Sequence, residues 1–207
     1  MVEFVSREQA AALIPDGAHI WDNSFLALAN PVELKAALAD RYLQTGHPRD
    51  LTFFCSAGFG DWQADSDAER LVTCGAVSKL IASHFRSTPM TGRMVRENRI
   101  AAYNLPLGVL SHMLRASAGG QDFLLSDVGL NLFVDPQYAG YRLNAKATET
   151  WVGDLEIKGK RHLLYRTPKV DIALIKGSSA DEYGNITFEK EACTVDAMSA
   201  ALSARRN

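Results

Sequence analysis

Two glycines placed just behind an apolar run are the first residues in this 207-residue chain whose type and spacing could do chemistry. Gly58 and Gly60 follow the run Leu51 to Cys55. At the end of a strand, glycine lets the backbone come close to a ligand, and it serves an ordinary surface turn equally well. Lys158, Lys160, Arg161, Arg166 and Lys169 place five cations in twelve residues. A phosphate-bearing ligand could use such a patch, and a solvated hairpin face would look the same. His19, His47, His84, His112 and His162 are scattered without ligand spacing and read as satisfied structural side chains, so no metal site is read from them. Cys55, Cys74 and Cys193 sit far apart among apolar or small residues, as reduced core thiols do. The chain has no GxGxxG, Walker A, HExxH, CxxC or GxSxG pattern. Dinucleotide, P-loop, zinc-protease and serine-hydrolase readings therefore lose their support.

The elements that must position these residues alternate between helix and strand. Ser6, Glu8 and Gln9 open a short helix that ends by Pro15, and Asp16-Gly17 turns into a strand over Ala18 to Trp21. Asn30 and Pro31 read as the N-cap and first turn of a helix carrying Leu34, Leu38 and Tyr42, closed by Gly46 and Pro48. Leu51 to Cys55 is a buried strand, and 57–70 reads as a loop. Leu71 to Phe85 returns to apolar strand and short-helix character, and Ile100 to Tyr103 is a further strand. After Pro106, the positions Leu107, Leu110, Met113 and Leu114 trace one helical face until Gly119-Gly120. Alternation around Leu155 and Ile157, a turn at Gly159 and a return through Leu163 to Tyr165 form a β-hairpin. Val170 to Ile175 is a buried strand and Ile186 to Phe188 a short one. Thr194 is the expected cap of a last helix with Val195, Met198 and Leu202 turned inward. The fold class is α/β: a single open-sheet domain with a β-hairpin excursion near 154–166.

Composition narrows the function classes. With 22 basic against 24 acidic residues the formal charge is −2, and 47% of the chain is hydrophobic. That balance gives no pull toward nucleic acid or an anionic membrane. The longest stretch without a formal charge, Ile100 to Leu114, is 15 residues, short of the roughly 20 apolar residues of a transmembrane helix. The start, MVEFVSREQ, reads neither as a secretory signal nor as a transit peptide, so the expected compartment is the cytoplasm. No repeat or linker divides the chain, and one compact unit over 1–207 is expected.

Four long strings, LQTGHPRDLTFF, YNLPLGVLSHMLR, VGLNLFVDPQYAG and VDIALIKGSSADEYGNITFEKEA, occur in an order and spacing that resemble the N-terminal, or α, half of family I acyl-CoA transferases, in the acetate and propionate CoA-transferase branch. The resemblance runs from about residue 6 to the C-terminus. It implies two α/β halves, in separate subunits or one fused chain, with the acyl-CoA site between them. This sequence resembles one half only. Asn207 would then be a subunit end, a processing point or a truncation, and the partner would be a β-type half.

The resemblance also implies a mechanism: a glutamate of the β-type half attacks the thioester, forming an acyl-glutamyl anhydride and then a glutamyl-CoA thioester. No catalytic residue is expected in this chain. Glu182-Tyr183-Gly184 has the look of the nucleophile's surroundings, but it corresponds to a hairpin turn of the α half, so Glu182 is read as structural. The α half would instead wall the substrate pocket. Asn23, Ser24 and Phe25 occupy the loop whose backbone N–H groups stabilise the oxyanion in relatives. Leu107 stands near the position where many relatives carry a glutamine that holds the acceptor carboxylate, and leucine has no such donor. Gly129, Asn131 and Phe133 form a third wall, with Asn131-Leu132 in place of a commoner Gly-Thr. Asn23 and Ser24 likewise replace glycines. Coenzyme A would be a substrate and no cofactor would be bound permanently. Acyl-CoA and a carboxylate would be the small-molecule partners, and association into an oligomer is expected. The changed loops leave two further readings, a non-catalytic acyl-CoA-binding or scaffolding subunit and an acyl-CoA hydrolase of the same fold.

Overall fold

A computed structural model describes residues 2–64 and 66–206. Its first half runs α1 (Arg7–Ala12), β1 (His19–Asp22), α2 (Val32–Thr45), β2 (Leu51–Cys55), α3 (Asp67–Thr73), β3 (Val77–Ala82), α4 (Pro89–Arg96), β4 (Ala101–Asn104) and α5 (Leu107–Ala118). The second half is richer in strands: β5 (Phe123–Ser126), β6 (Val152–Ile157), β7 (Lys160–Arg166), β8 (Ile172–Leu174), β9 (Ser179–Ala180), β10 (Ile186–Thr187) and then α6 (Ala197–Arg206). Five parallel strands form the main sheet in the order β4-β3-β2-β1-β8. A βα alternation gives this result because a parallel pair needs a crossover, and a helix supplies it.

Both faces of the sheet are covered, which is why the central strand β2 is apolar and buried at nearly every position. Successive side chains point to opposite faces. Ile20, Phe53 and Leu80 enter a core with Leu38, Leu71 and Val95 of α2, α3 and α4. Their neighbours Trp21, Phe54 and Ile81 enter a second core with Leu110 and Met113 of α5, Ala200 of α6, and Leu163 and Tyr165 of β7. The second layer includes a three-stranded antiparallel sheet, β5-β7-β6. Its β6–β7 hairpin turns on Lys158 (φ 51°) and Gly159 (φ 75°), the two positive angles that match strand twist.

The expected elements are present with five corrections. The stretch 57–70 is not all loop, because α3 starts at Asp67 with Asp67 and Glu69 in its first turn, where the helix dipole favours acids. Asn30 does not cap α2; its Nδ2 donates to Leu26 O (3.1 Å) and Phe59 O (2.9 Å), tying two loops together. α6 begins at Ala197, three residues after Thr194, so Thr194 does not cap it; its buried positions are Ala197, Ala200 and Ser203, while Met198 is 78% and Leu202 44% exposed. Small residues face in because α6 lies close against α5, with Ser203 Oγ 2.7 Å from Ser117 Oγ. Only Cys55 of the three free thiols is fully buried; Cys74 and Cys193 are half-buried. Among the described residues no helix is long and apolar enough to cross a membrane.

Candidate active site

Parallel strands end on one edge, and in open α/β sheets ligands bind there. Here that edge carries 23–30 after β1, 56–62 after β2, 83–88 after β3 and 105–107 after β4. The β1 side is built on a buried ion pair. Asp22, the last residue of β1, accepts from Lys35 Nζ of α2 at 3.2 Å, and both side chains are almost wholly out of solvent. Ser24 Oγ donates to the other oxygen of Asp22 at 2.6 Å, and Lys35 Nζ lies 5.6 Å from the Phe59 ring centroid. The pair fixes where the chain leaves β1. Sequence reasoning did not single it out, although Lys35 sits on the helix stripe with Leu38 and Tyr42, an unusual place for a lysine.

The expected wall Asn23-Ser24-Phe25 occupies this loop. Asn23 and Ser24 are completely buried, and Phe25 is half-exposed. Asn23 N–H donates to Leu174 O (3.1 Å), Phe25 N–H to Leu28 O (3.0 Å) and Leu26 N–H to Gly58 O (2.7 Å). The Asn23 side chain clamps the segment before α6: Nδ2 donates to Thr194 O (3.0 Å), and Oδ1 accepts from Asp196 N (2.9 Å). Cys55 Sγ donates to Ser24 O at 3.5 Å, and burial pushes its thiol well up, so it stays protonated.

Gly58 and Gly60 are buried in a loop–loop contact, which neither of their sequence readings described. A Cβ on Gly58 would lie 2.5 Å from His84 Cε1 and 2.6 Å from Ser87 Oγ; one on Gly60 would lie 2.1 Å from Ser87 O. These glycines let the β2 loop press against the β3 loop. Burial lowers the pKa of His84, which keeps the imidazole neutral.

On the β4 side, Leu107 begins α5 and is 41% exposed. Strand spacing puts it about 14 Å from the β1 loop, three strands away. The segment 141–143 lies beside β4, where Asn104 N–H donates to Tyr141 O (2.8 Å) and Leu143 N–H to Ala102 O (3.0 Å), and Phe133 of the third expected wall packs against Gly140 just ahead of it. Gly129 (φ +101°) is needed for packing: a Cβ would come within 2.4 Å of Val134 Cγ2 and 2.6 Å of Tyr165 Oη. Asn131 (φ 61°) donates its N–H to Asp135 at 2.9 Å, and Phe133 is half-exposed. Asp135 is buried and accepts from the two terminal guanidinium nitrogens of Arg161, Nη1 at 2.8 Å and Nη2 at 2.5 Å. Arg161 holds that carboxyl well below the usual carboxylate range.

The cationic hairpin is therefore mostly occupied with its own structure: Arg161 pairs with Asp135 and Asp154, Arg166 with Glu149, and Lys160 with Asp127. Glu182 stands exposed at the tip of the β9–β10 hairpin, in a turn closed by Asp181, which accepts from the N–H groups of Tyr183 (3.0 Å) and Asn185 (2.8 Å). Among the described residues no group of three or more His, Cys, Asp or Glu could hold a metal ion.

Residues 4–206 match the family model described as Coenzyme A transferase. The caffeate CoA-transferase of Acetobacterium woodii is 36% identical over all 207 residues, which make up 39% of that protein. A probable coenzyme A transferase subunit alpha of Bacillus subtilis is 30% identical, over 98% of this chain and 79% of its own length. The crystal structure of the acyl-CoA transferase YdiF apoenzyme from Escherichia coli O157:H7 superposes over 100% of this chain and 40% of that one, with a TM-score of 0.94 and 34% identity. The chain thus spans about two fifths of the length of the first of these relatives. It belongs to the coenzyme A transferase family.

Proposed function

We propose that this chain is the α-type half of a CoA-transferase that moves CoA between a short-chain acyl-CoA and a carboxylate, with a β-type half completing the site. The observation that carries this reading is the apolar rim of the carboxyl edge. Phe25, Leu28 and Trp62 on the edge loops and Leu107 at the start of α5 are between 39% and 56% exposed, and Leu132, Phe133 and Tyr138 on the 127–140 segment between 45% and 60%. A concentration of exposed aromatic and aliphatic side chains at a strand-end crevice fits a surface that another half covers.

In this reading the β-type half supplies a glutamate. Its carboxylate adds to the thioester carbonyl and expels CoA thiolate, leaving an acyl-glutamyl anhydride. The thiolate then attacks the glutamyl carbonyl, which releases the first acid and leaves glutamyl-CoA. Repeating both steps in reverse with the second acid delivers its CoA thioester and frees the glutamate. This chain contributes walls and orientation. The N–H groups of Asn23 and Phe25 already donate to backbone carbonyls, so an oxyanion would draw on Ser24 or on a small shift of the 23–28 loop. Leu107 contributes apolar contact to the acid.

The test is CoA exchange from acetyl-CoA to propionate, measured with the purified chain alone and with its β-type half added. Exchange is expected only in the mixture, and native mass spectrometry should find the two halves together. Enzymatic exchange by the chain alone would sink the half-site reading.

A further inference from the structure

One cavity at the carboxyl edge lies outside the three expected walls. It has a volume of about 460 Å³ and is lined by Leu26, Trp62, His84 and Arg86. Two of these residues are held in a backbone conformation that bulky side chains rarely adopt, Leu26 at φ 58° and Trp62 at φ 65°. Each is fixed there by a hydrogen bond to a neighbouring loop, Leu26 N–H to Gly58 O (2.7 Å) and Trp62 N–H to Ser87 O (3.0 Å). Strained backbone persists only where its surroundings over-determine it, and it concentrates at ligand sites. Arg86 is anchored next to the wholly buried Ser87 and Thr88, yet its own side chain is exposed and makes no hydrogen bond or ion pair among the described residues. Elsewhere in the chain Arg7, Arg49, Arg70, Arg93, Arg99, Arg161 and Arg166 each pair with an acid. His84 Nδ1 is buried and has no hydrogen-bond partner among the described residues. Asp61, the chain neighbour of Trp62, accepts from Gln63 N–H at 3.1 Å.

An unpaired guanidinium beside an indole, an imidazole and a leucine fits one class of group: an oxyanion carried on an apolar body. We propose that this cavity is a substrate subsite in which Arg86 anchors a terminal oxyanion while Leu26 and Trp62 cover the adjoining hydrocarbon. The inference rests on the CoA-transfer reading and adds a determinant of specificity to it. The oxyanion could be the remote carboxylate of a dicarboxylic acid or a phosphate of CoA, since a guanidinium grips either in the same two-pronged way.

The experiment uses the assembled enzyme and its Arg86→Gln variant, with succinate or butyrate as acceptor and acetyl-CoA or acetyl-pantetheine as donor. If the remote carboxylate is held, Arg86→Gln lowers kcat/KM for succinate relative to butyrate by roughly 10- to 100-fold with either donor. If a CoA phosphate is held, the variant raises KM for acetyl-CoA by a similar factor with both acids and leaves acetyl-pantetheine, which has no phosphates, unaffected. An effect below about twofold in every combination overturns the inference and leaves the transferase reading intact.

Should the assembly transfer no CoA at all, that reading fails, and a titration of the chain alone decides the subsite. Of the three tryptophans, Trp62 is exposed while Trp21 and Trp151 are buried, so Trp62 reports on this cavity. A saturable change in its fluorescence with succinate or CoA, weakened at least tenfold by Arg86→Gln, supports the subsite. An identical response in both proteins rejects it.

Discussion

The two sides of the carboxyl edge are held by ion pairs of opposite character. Under the β1 loop, Asp22 and Lys35 meet as single charges with both side chains shut away from water. Under the β4-side loop, Asp135 is just as buried, but its partner Arg161 comes from the surface, grips it with two nitrogens and also reaches Asp154. The first arrangement has no solvent to fall back on when a member is lost. The second keeps one member hydrated, and backbone N–H groups of Asn131 and Gln137 already satisfy part of the carboxylate. The β1 loop is therefore the rigid wall of the site, and the β4-side loop the one that local changes can loosen.

The sharpest way to break this contrast is to remove Lys35. Lys35→Met leaves Asp22 charged and unpaired in the core, for an expected loss of about 3–5 kcal/mol in chemical denaturation. Asp22→Asn combined with Lys35→Met should recover at least half of that loss, because no charge is left buried. A double variant no more stable than Lys35→Met would mean that the pair contributes by shape and not by charge compensation.

Second in size is Gly129→Ala on the other side. The added Cβ meets Val134 and Tyr165 and must adopt φ near +101°, so both sterics and backbone oppose it. The expected cost is about 2–3 kcal/mol. Gly58→Ala, which presses on His84 and Ser87, should cost less if those side chains can turn aside.

Much of this frame was legible in the sequence, for local reasons. The Ser6–Gln9 capping box, the apolar run of β2, the Pro106 start and Gly119-Gly120 end of α5 and the Gly159 turn each depend on a few neighbouring residues. What was not legible depends on distant partners. Glu69 looked like part of an acidic loop, yet it is buried and accepts from Thr91 N–H at 2.6 Å, closing the start of α4. Arg161 looked like one cation among five, and only the return of the 127–140 loop makes it a clamp. The same holds at the site. The order of the edge loops follows from the βα pattern, but whether Asn23 offers its N–H to a substrate is decided by Leu174, about 150 residues later. Arg86 has no motif around it at all; only its place beside Leu26, Trp62 and His84, without a partner among the described residues, marks it.

A third measurement sharpens the comparison through pH. Arg161 depresses the Asp135 pKa in the folded state, so the stability this pair contributes is present above the unfolded carboxylate pKa of about 3.9 and is lost as pH falls toward the lower folded value. Wild-type stability should therefore drop below about pH 5, and Arg161→Gln should flatten that part of the profile while lowering the plateau at pH 7. Equal slopes in the two proteins would show that other carboxylates dominate acid unfolding.

The smallest expected effect tests how far the rigid side extends. Asn23 ties the β1 loop to 194–196, immediately before α6, and α6 turns Ala200 and Ser203 inward while Met198 faces solvent. If that phase is right, Met198→Lys changes stability by less than about 0.5 kcal/mol, as surface substitutions do. Ala200→Leu would instead force a large side chain between α6 and α5 and should cost about 1–3 kcal/mol. The inward Met198 expected from the sequence pattern demands the reverse ranking. The pair of variants therefore separates a helix anchored through Asn23 from one rotated by a residue, in which the clamp at 194–196 could not form.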